Sequence, residues 1–80
     1  MKSIKVQYFA LFRDQAKCEE ETLEVNSQTY ADLYLELSQR HGFDLPIEMI
    51  QVAANDEFTS MNAFVVNGAK IVFIPPVAGG

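Results

Sequence analysis

Over residues 4–11 apolar and polar side chains alternate, the period of an extended strand. Ile4, Val6, Tyr8 and Ala10 fall on one face; Lys5, Gln7, Phe9 and Leu11 fall on the other. Lys5 and Gln7 mark the second face as solvated, so Phe9 is expected to point outward with them. Glu19, Glu20 and Glu21 are turn-like, and alternation resumes over Thr22-Leu23-Glu24-Val25. A loop over residues 14–18 would then join two antiparallel strands.

The period next changes to that of a helix. Thr29 followed by Asp32 predicts a capping box, and Tyr30, Leu33, Tyr34 and Leu37 recur at helical spacing. Gly42 predicts a left-handed stop, with Phe43 packing back on Leu37. Beyond Pro46, Gln51-Val52-Ala53-Ala54 predicts a short strand and Asn55-Asp56 a turn. Residues 58–66 are ambiguous, with Phe64-Val65-Val66 as a candidate edge strand. Asn67-Gly68 is a strong tight-turn signal. The nearly all-apolar strand over residues 70–74 has the pattern of one sheltered inside a sheet, and Pro75-Pro76 ends it. Two strands, a helix, then two or three strands predict an α+β architecture. In this β-grasp arrangement the first and last strands are adjacent and parallel, and one main helix crosses one face of a mixed sheet. Residues 1–74 would form the domain and residues 75–80 a projecting tail.

Composition narrows the function more than the fold. Eighty residues, 49% of them apolar, allow one domain with little room for a deep cleft, which favours a binding or carrier module over an enzyme. The net charge is −5, and the six basic residues are scattered rather than striped, so no nucleic-acid ligand is expected. A basic protein partner suits the field better. Cys18 has no second thiol to pair with, and it neighbours more acids than bases, which does not favour a thiolate. His41, in the last turn of the helix, answers the helix dipole. Glu19–Glu21 and Asp56-Glu57 read as solvated faces. Neither a metal nor a bound cofactor has a convincing set of ligands. The first residues enter alternation without an apolar leader, and no run is long enough to span a bilayer; a cytoplasmic protein without a membrane partner is expected.

Chemistry concentrates at the end, Val72-Phe73-Ile74-Pro75-Pro76-Val77-Ala78-Gly79-Gly80. Prolines favour extended backbone, so the tail should project from the body, reaching roughly 20 Å at ~3.3 Å per residue. Glycine lacks Cβ, so Gly79-Gly80 could enter a narrow slot and lie close to a nucleotide. A terminal carboxylate is a poor acyl donor until joined to a leaving group such as AMP. Nearer the tail's root, alternation sets Ile71 and Phe73 on one face and Lys70, Val72 and Ile74 on the other. Ile74 and Phe9, both outward on adjacent strands, would form an apolar patch of the kind that marks a partner site.

Val6-Gln7-Tyr8-Phe9-Ala10 with Arg13-Asp14, the capped helix at Thr29, Val52-Ala53-Ala54-Asn55 and the Phe-Ile-Pro-Pro-Val-Ala-Gly-Gly ending follow one another along nearly the whole chain. In these features the chain resembles the small, sulfur-carrier subunits of molybdopterin synthase, members of the ubiquitin-like β-grasp family. That resemblance implies that a ubiquitin-activating-like adenylyltransferase consumes ATP to adenylate Gly80. Sulfur then displaces AMP to leave a thiocarboxylate. The tail would enter a large catalytic subunit and give its sulfur to cyclic pyranopterin monophosphate, with the carrier not itself an enzyme. Gly79, Ala78, Val77, Pro76 and Pro75 would provide access, and Phe58, where relatives carry a hydrophobic contact residue, would join Phe9 and Ile74 at the interface. The chain departs from the family pattern at Ala69-Lys70, where an acidic pair is frequent, and at Ala78, where Ser or Thr is frequent. Alternatives are the sulfur carrier of thiamine biosynthesis, a ubiquitin-like modifier joined to lysines through Gly80, and a plain interaction domain.

Overall fold

A five-stranded mixed sheet with the order β2-β1-β5-β3-β4 carries two helices, in a computed structural model that describes residues 1–76. The elements are β1 (Lys2–Tyr8), α1 (Ala10–Ala16), β2 (Glu20–Val25), α2 (Tyr30–His41), β3 (Gln51–Ala54), β4 (Glu57–Thr59) and β5 (Lys70–Ile74), with a short 3-10 turn at Ile47–Met49. β1 runs antiparallel to β2 and parallel to β5, so the first and last strands lie side by side in the middle of the sheet. This is the β-grasp arrangement that the order of elements predicts.

Alternation decides which face each strand buries. Ile4, Val6 and Tyr8 of β1, Val52 of β3, and Ile71 and Phe73 of β5 are almost wholly buried beneath α2. From α2 come Tyr30, Leu33, Tyr34 and Leu37, with the Tyr34 ring edge-on to Phe73 at 5.6 Å. Burying each such side chain contributes about 1.5–3 kcal/mol, far above any intrinsic helix preference. The capping box forms as expected: Thr29 Oγ1 accepts from the Asp32 N–H, and an Asp32 carboxylate oxygen accepts from the Thr29 N–H. Gly42 takes the left-handed conformation (φ 76°) that ends the helix.

Two local expectations are corrected. β1 stops at Tyr8, and the expected loop is the helix α1 (Ala10–Ala16). Alternation through Phe9 and Leu11 imitates a longer strand, but Ala10 adopts φ 50° and turns the chain, leaving Ala10 exposed and burying Phe12 completely. Phe12 settles between Phe43 and Tyr34, at ring separations of 4.8 and 5.9 Å. The second correction concerns the edge strand, which is β4 (Glu57–Thr59) rather than Phe64-Val65-Val66. Val65 is drawn into the core and its N–H donates to the Gln28 carbonyl, so that segment follows the start of α2. Phe64 makes only an isolated bridge to Thr29.

Candidate functional site

The end of the sheet from which the tail departs is built on aromatic packing. Tyr8, Phe12, Tyr34, His41, Phe43 and Phe73 pack ring against ring around it, some edge to face and others tilted, and Tyr8 is paired in register with Phe73. Gln7 pairs with Val72 on the opposite, open face. Two residues further on, the same register brings Phe9 beside Ile74. Phe9 is extended (φ −123°, ψ 151°) and 45% exposed, and Ile74 is half-buried.

Together they bound an open groove of about 820 Å³. Phe9, Ala10 and Leu11 form one wall, Leu45 and Met49 another, and Ile74, Pro75 and Pro76 the third. Among the described residues, no charged side chain lines it. The sequence reading did not find Leu11, Leu45 or Met49 as part of this surface. No period singles them out in the sequence; in the structure Leu11 and Met49 are 41% and 49% exposed. Pro75 is half-buried and Pro76 exposed at the rim. Val77, Ala78, Gly79 and Gly80, which the sequence reading makes the working end, lie outside the described residues.

Phe58 stands elsewhere. It lies on edge strand β4, two strands from β5, and is not among the groove's walls. Its cross-strand row runs Gln7, Val72, Ala53, Phe58 along the open face. Phe58 is 71% exposed and covers neither Phe9 nor Ile74. Phe58 thus shares the open face with Phe9 and Ile74 but stands at the sheet's edge, outside the walls of the groove that those two bound.

The departures from the family pattern have structural counterparts. Ala69 is buried, and its carbonyl accepts from the Lys5 N–H. Lys70 lies on the open face with its ammonium 3.9 Å from Asp56, and its N–H donates to Asn55 Oδ1.

The acids and the thiol sort themselves by environment. Glu21 Oε1 accepts from the Tyr8 hydroxyl at 2.5 Å and lies 2.6 Å from His41 Nε2. Partial burial pushes the Glu21 carboxyl up, but the Tyr8 and His41 hydrogen bonds and the charges of His41 and Arg40 outweigh it and hold it below its ordinary value. Burial, reinforced by Glu21, pushes the Tyr8 phenol well above its usual range. Cys18 is raised by burial and then by the Glu21 charge, so it stays a neutral thiol near pH 7. Among the described residues no group of three or more His, Cys, Asp or Glu is arranged to hold a metal ion. No helix among them is long and apolar enough to cross a membrane.

A grasp of one main helix over a mixed sheet, with parallel central strands and an apolar rim where the last strand exits, defines a ubiquitin-like β-grasp protein of the class that includes sulfur carriers and protein modifiers. The pattern of the ThiS family matches residues 6–80, and the chain belongs to that family. None of the curated proteins matches it by sequence. Among solved structures it is similar to a protein assigned as molybdopterin converting factor subunit 1 from Pyrococcus furiosus. The two share 28% identity at a TM-score of 0.78, over 96% of this chain and 100% of that one. SAMP1, a small archaeal modifier protein from Haloferax volcanii, superposes with a TM-score of 0.78 at 23% identity, over 98% and 99% of the two chains. The complex of subunits 1 and 2 of molybdopterin-converting factor from Helicobacter pylori gives a TM-score of 0.65 at 24% identity, over 98% and 99%.

Proposed function

We propose that this chain is the sulfur-carrier subunit of a molybdopterin synthase, working in the cytoplasm. The observation that carries the reading is the continuity of buried strand, apolar groove and tail: Phe73 in the core, Ile74-Pro75-Pro76 on the rim, then Val77-Ala78-Gly79-Gly80. The likeness to subunit 1 from Pyrococcus furiosus, and to the Helicobacter pylori subunit that is in complex with a second subunit, supports a protein partner.

The Gly80 carboxylate attacks ATP on an activating adenylyltransferase, giving acyl-adenylate and pyrophosphate. A sulfur nucleophile then displaces AMP, and a thiocarboxylate remains. Val77, Ala78, Gly79 and Gly80 enter the large catalytic subunit, which docks on Phe9 and Ile74. The thiocarboxylate sulfur passes to cyclic pyranopterin monophosphate, water takes its place on the acyl carbon, and the carboxylate is restored. The carrier contributes an arm; the proton transfers belong to its partners, and it holds no cofactor of its own.

Intact mass of the protein purified from its host tests the first half. The expected species ends at Gly80 with one oxygen exchanged for sulfur. Combined with the large subunit, that species should convert the pyranopterin precursor, and a variant lacking Gly80 should not while folding normally. An active truncated variant would refute the reading. A second reading, a protein modifier, is favoured by the shared fold with SAMP1. It requires the Gly80 carboxyl joined to lysines of other proteins, read after trypsin as an Ile71–Gly80 remnant because Lys70 is the last basic residue, and no sulfur exchange. Support of thiamine synthesis in place of pyranopterin conversion would identify the thiamine carrier of the same family.

A further inference from the structure

We propose that the edge of β4 is a second docking site, which takes an extended, basic and apolar peptide segment of a partner protein as a sixth strand. The inference is independent of the tail chemistry.

The geometry begins at the β3–β4 turn. Ala54 pairs with Glu57 across two residues only, Asn55 and Asp56, whose φ values of 53° and 71° define a type I′ turn. In such a hairpin the residues flanking the turn exchange both hydrogen bonds, and the next pair outward exchanges none. Ala53 and Phe58 are that next pair. The Asn55 N–H donates to the Lys70 carbonyl at 2.8 Å, which fixes the same phase from the other side: odd residues of β3 bond toward β5, even ones toward β4. The N–H and C=O of Phe58 therefore point away from the sheet. No loop or side-chain hydrogen bond among the described residues reaches them.

Unpaired edges attract strands unless charge, proline or brevity protects them. β4 has brevity and one acid, Glu57, but no lysine and no proline. Beside it lies a groove of about 490 Å³ between β4 and the start of α2. Phe58, Phe64 and Val66 along it are 71%, 73% and 57% exposed. It shares no wall residue with the groove at the tail root.

Charge selects the occupant. Glu57 has no ion-pair partner among the described residues, whereas neighbouring Asp56 faces Lys70 at 3.9 Å. A second copy, paired antiparallel about Phe58, would set Glu57 diagonally across from its equivalent and join two chains of net charge −5. A segment with an apolar residue opposite Phe58 and Lys or Arg opposite Glu57 meets both needs.

The test uses a synthetic ten-residue peptide of alternating lysine and valine, and its glutamate-for-lysine counterpart, titrated into the isotope-labelled full chain. The lysine peptide is expected to shift the amide signals of Glu57, Phe58 and Thr59 and to slow exchange of the Phe58 N–H at least tenfold; the glutamate peptide should do neither. Phe58→Pro removes the outward donor without touching the β3 ladder and should abolish binding. Glu57→Lys, which leaves the backbone intact, should reverse the preference between the two peptides. Binding that survives Phe58→Pro, shifts confined to Phe9 and Ile74, no shift with the lysine peptide, or concentration-dependent pairing of β4 with itself would each overturn the proposal.

Discussion

Tyr8 is almost wholly buried, yet its hydroxyl finds a charged acceptor in Glu21, and the same oxygen meets His41 from the end of α2. One carboxylate thus ties β1, β2 and α2 together. Because a hydrogen bond to a charged group is worth about 1.5–3 kcal/mol, Tyr8→Phe should lower unfolding stability by about 1.5 kcal/mol in urea titration. The lower figure applies because Glu21 keeps some access to water. Since the Glu21 carboxyl is lower in the folded chain than in the unfolded one, its contribution is complete above the unfolded value of about 4.3. It is lost as pH falls through the folded value. Stability measured across the acid range should fall in that window, and Glu21→Gln should flatten the fall.

At the scale of elements, the capped helix and the short helix contrast in legibility. α2 carries its start, its apolar stripe and its stop in residue types with local meanings. Thr29→Ala should remove the cap and cost about 1 kcal/mol in thermal or urea unfolding. α1 has one buried residue, no side-chain cap, and a left-handed end at Lys17 rather than at glycine. Its seven residues make the two periods indistinguishable, and only the aromatic pocket that receives Phe12 selects the helix. Phe12→Ala should accordingly cost about 3–5 kcal/mol, an effect far too large for a residue in a loop. The alternation of β5 was legible for the same reason as the stripe of α2: one face is fully buried, and a one-residue slip would expose Phe73.

At the scale of the molecule, the apolar groove and the β4 edge lie on different parts of one small body. Phe9 carries a wall of the first while making no contribution to the buried core. Phe9→Asp should weaken docking of a protein partner at the groove while leaving stability within about 0.5 kcal/mol, because aspartate serves well at the helix N-cap position that Phe9 occupies. Binding measured by calorimetry beside a urea titration separates the two effects. A large loss of stability would show that Phe9 holds the fold.

The chain's own residue order determined the grasp topology, the capped helix, the buried faces of β1 and β5 and the proline-diglycine ending. Each rests on periods and turn residues that act within a few positions. Tertiary structure alone decided that Leu45 and Met49 complete the groove with Phe9 and Ile74, that Phe58 stands apart from them, and that its backbone faces outward. Those facts depend on which strands become neighbours and on the phase of their hydrogen bonds, which no local pattern of side chains encodes.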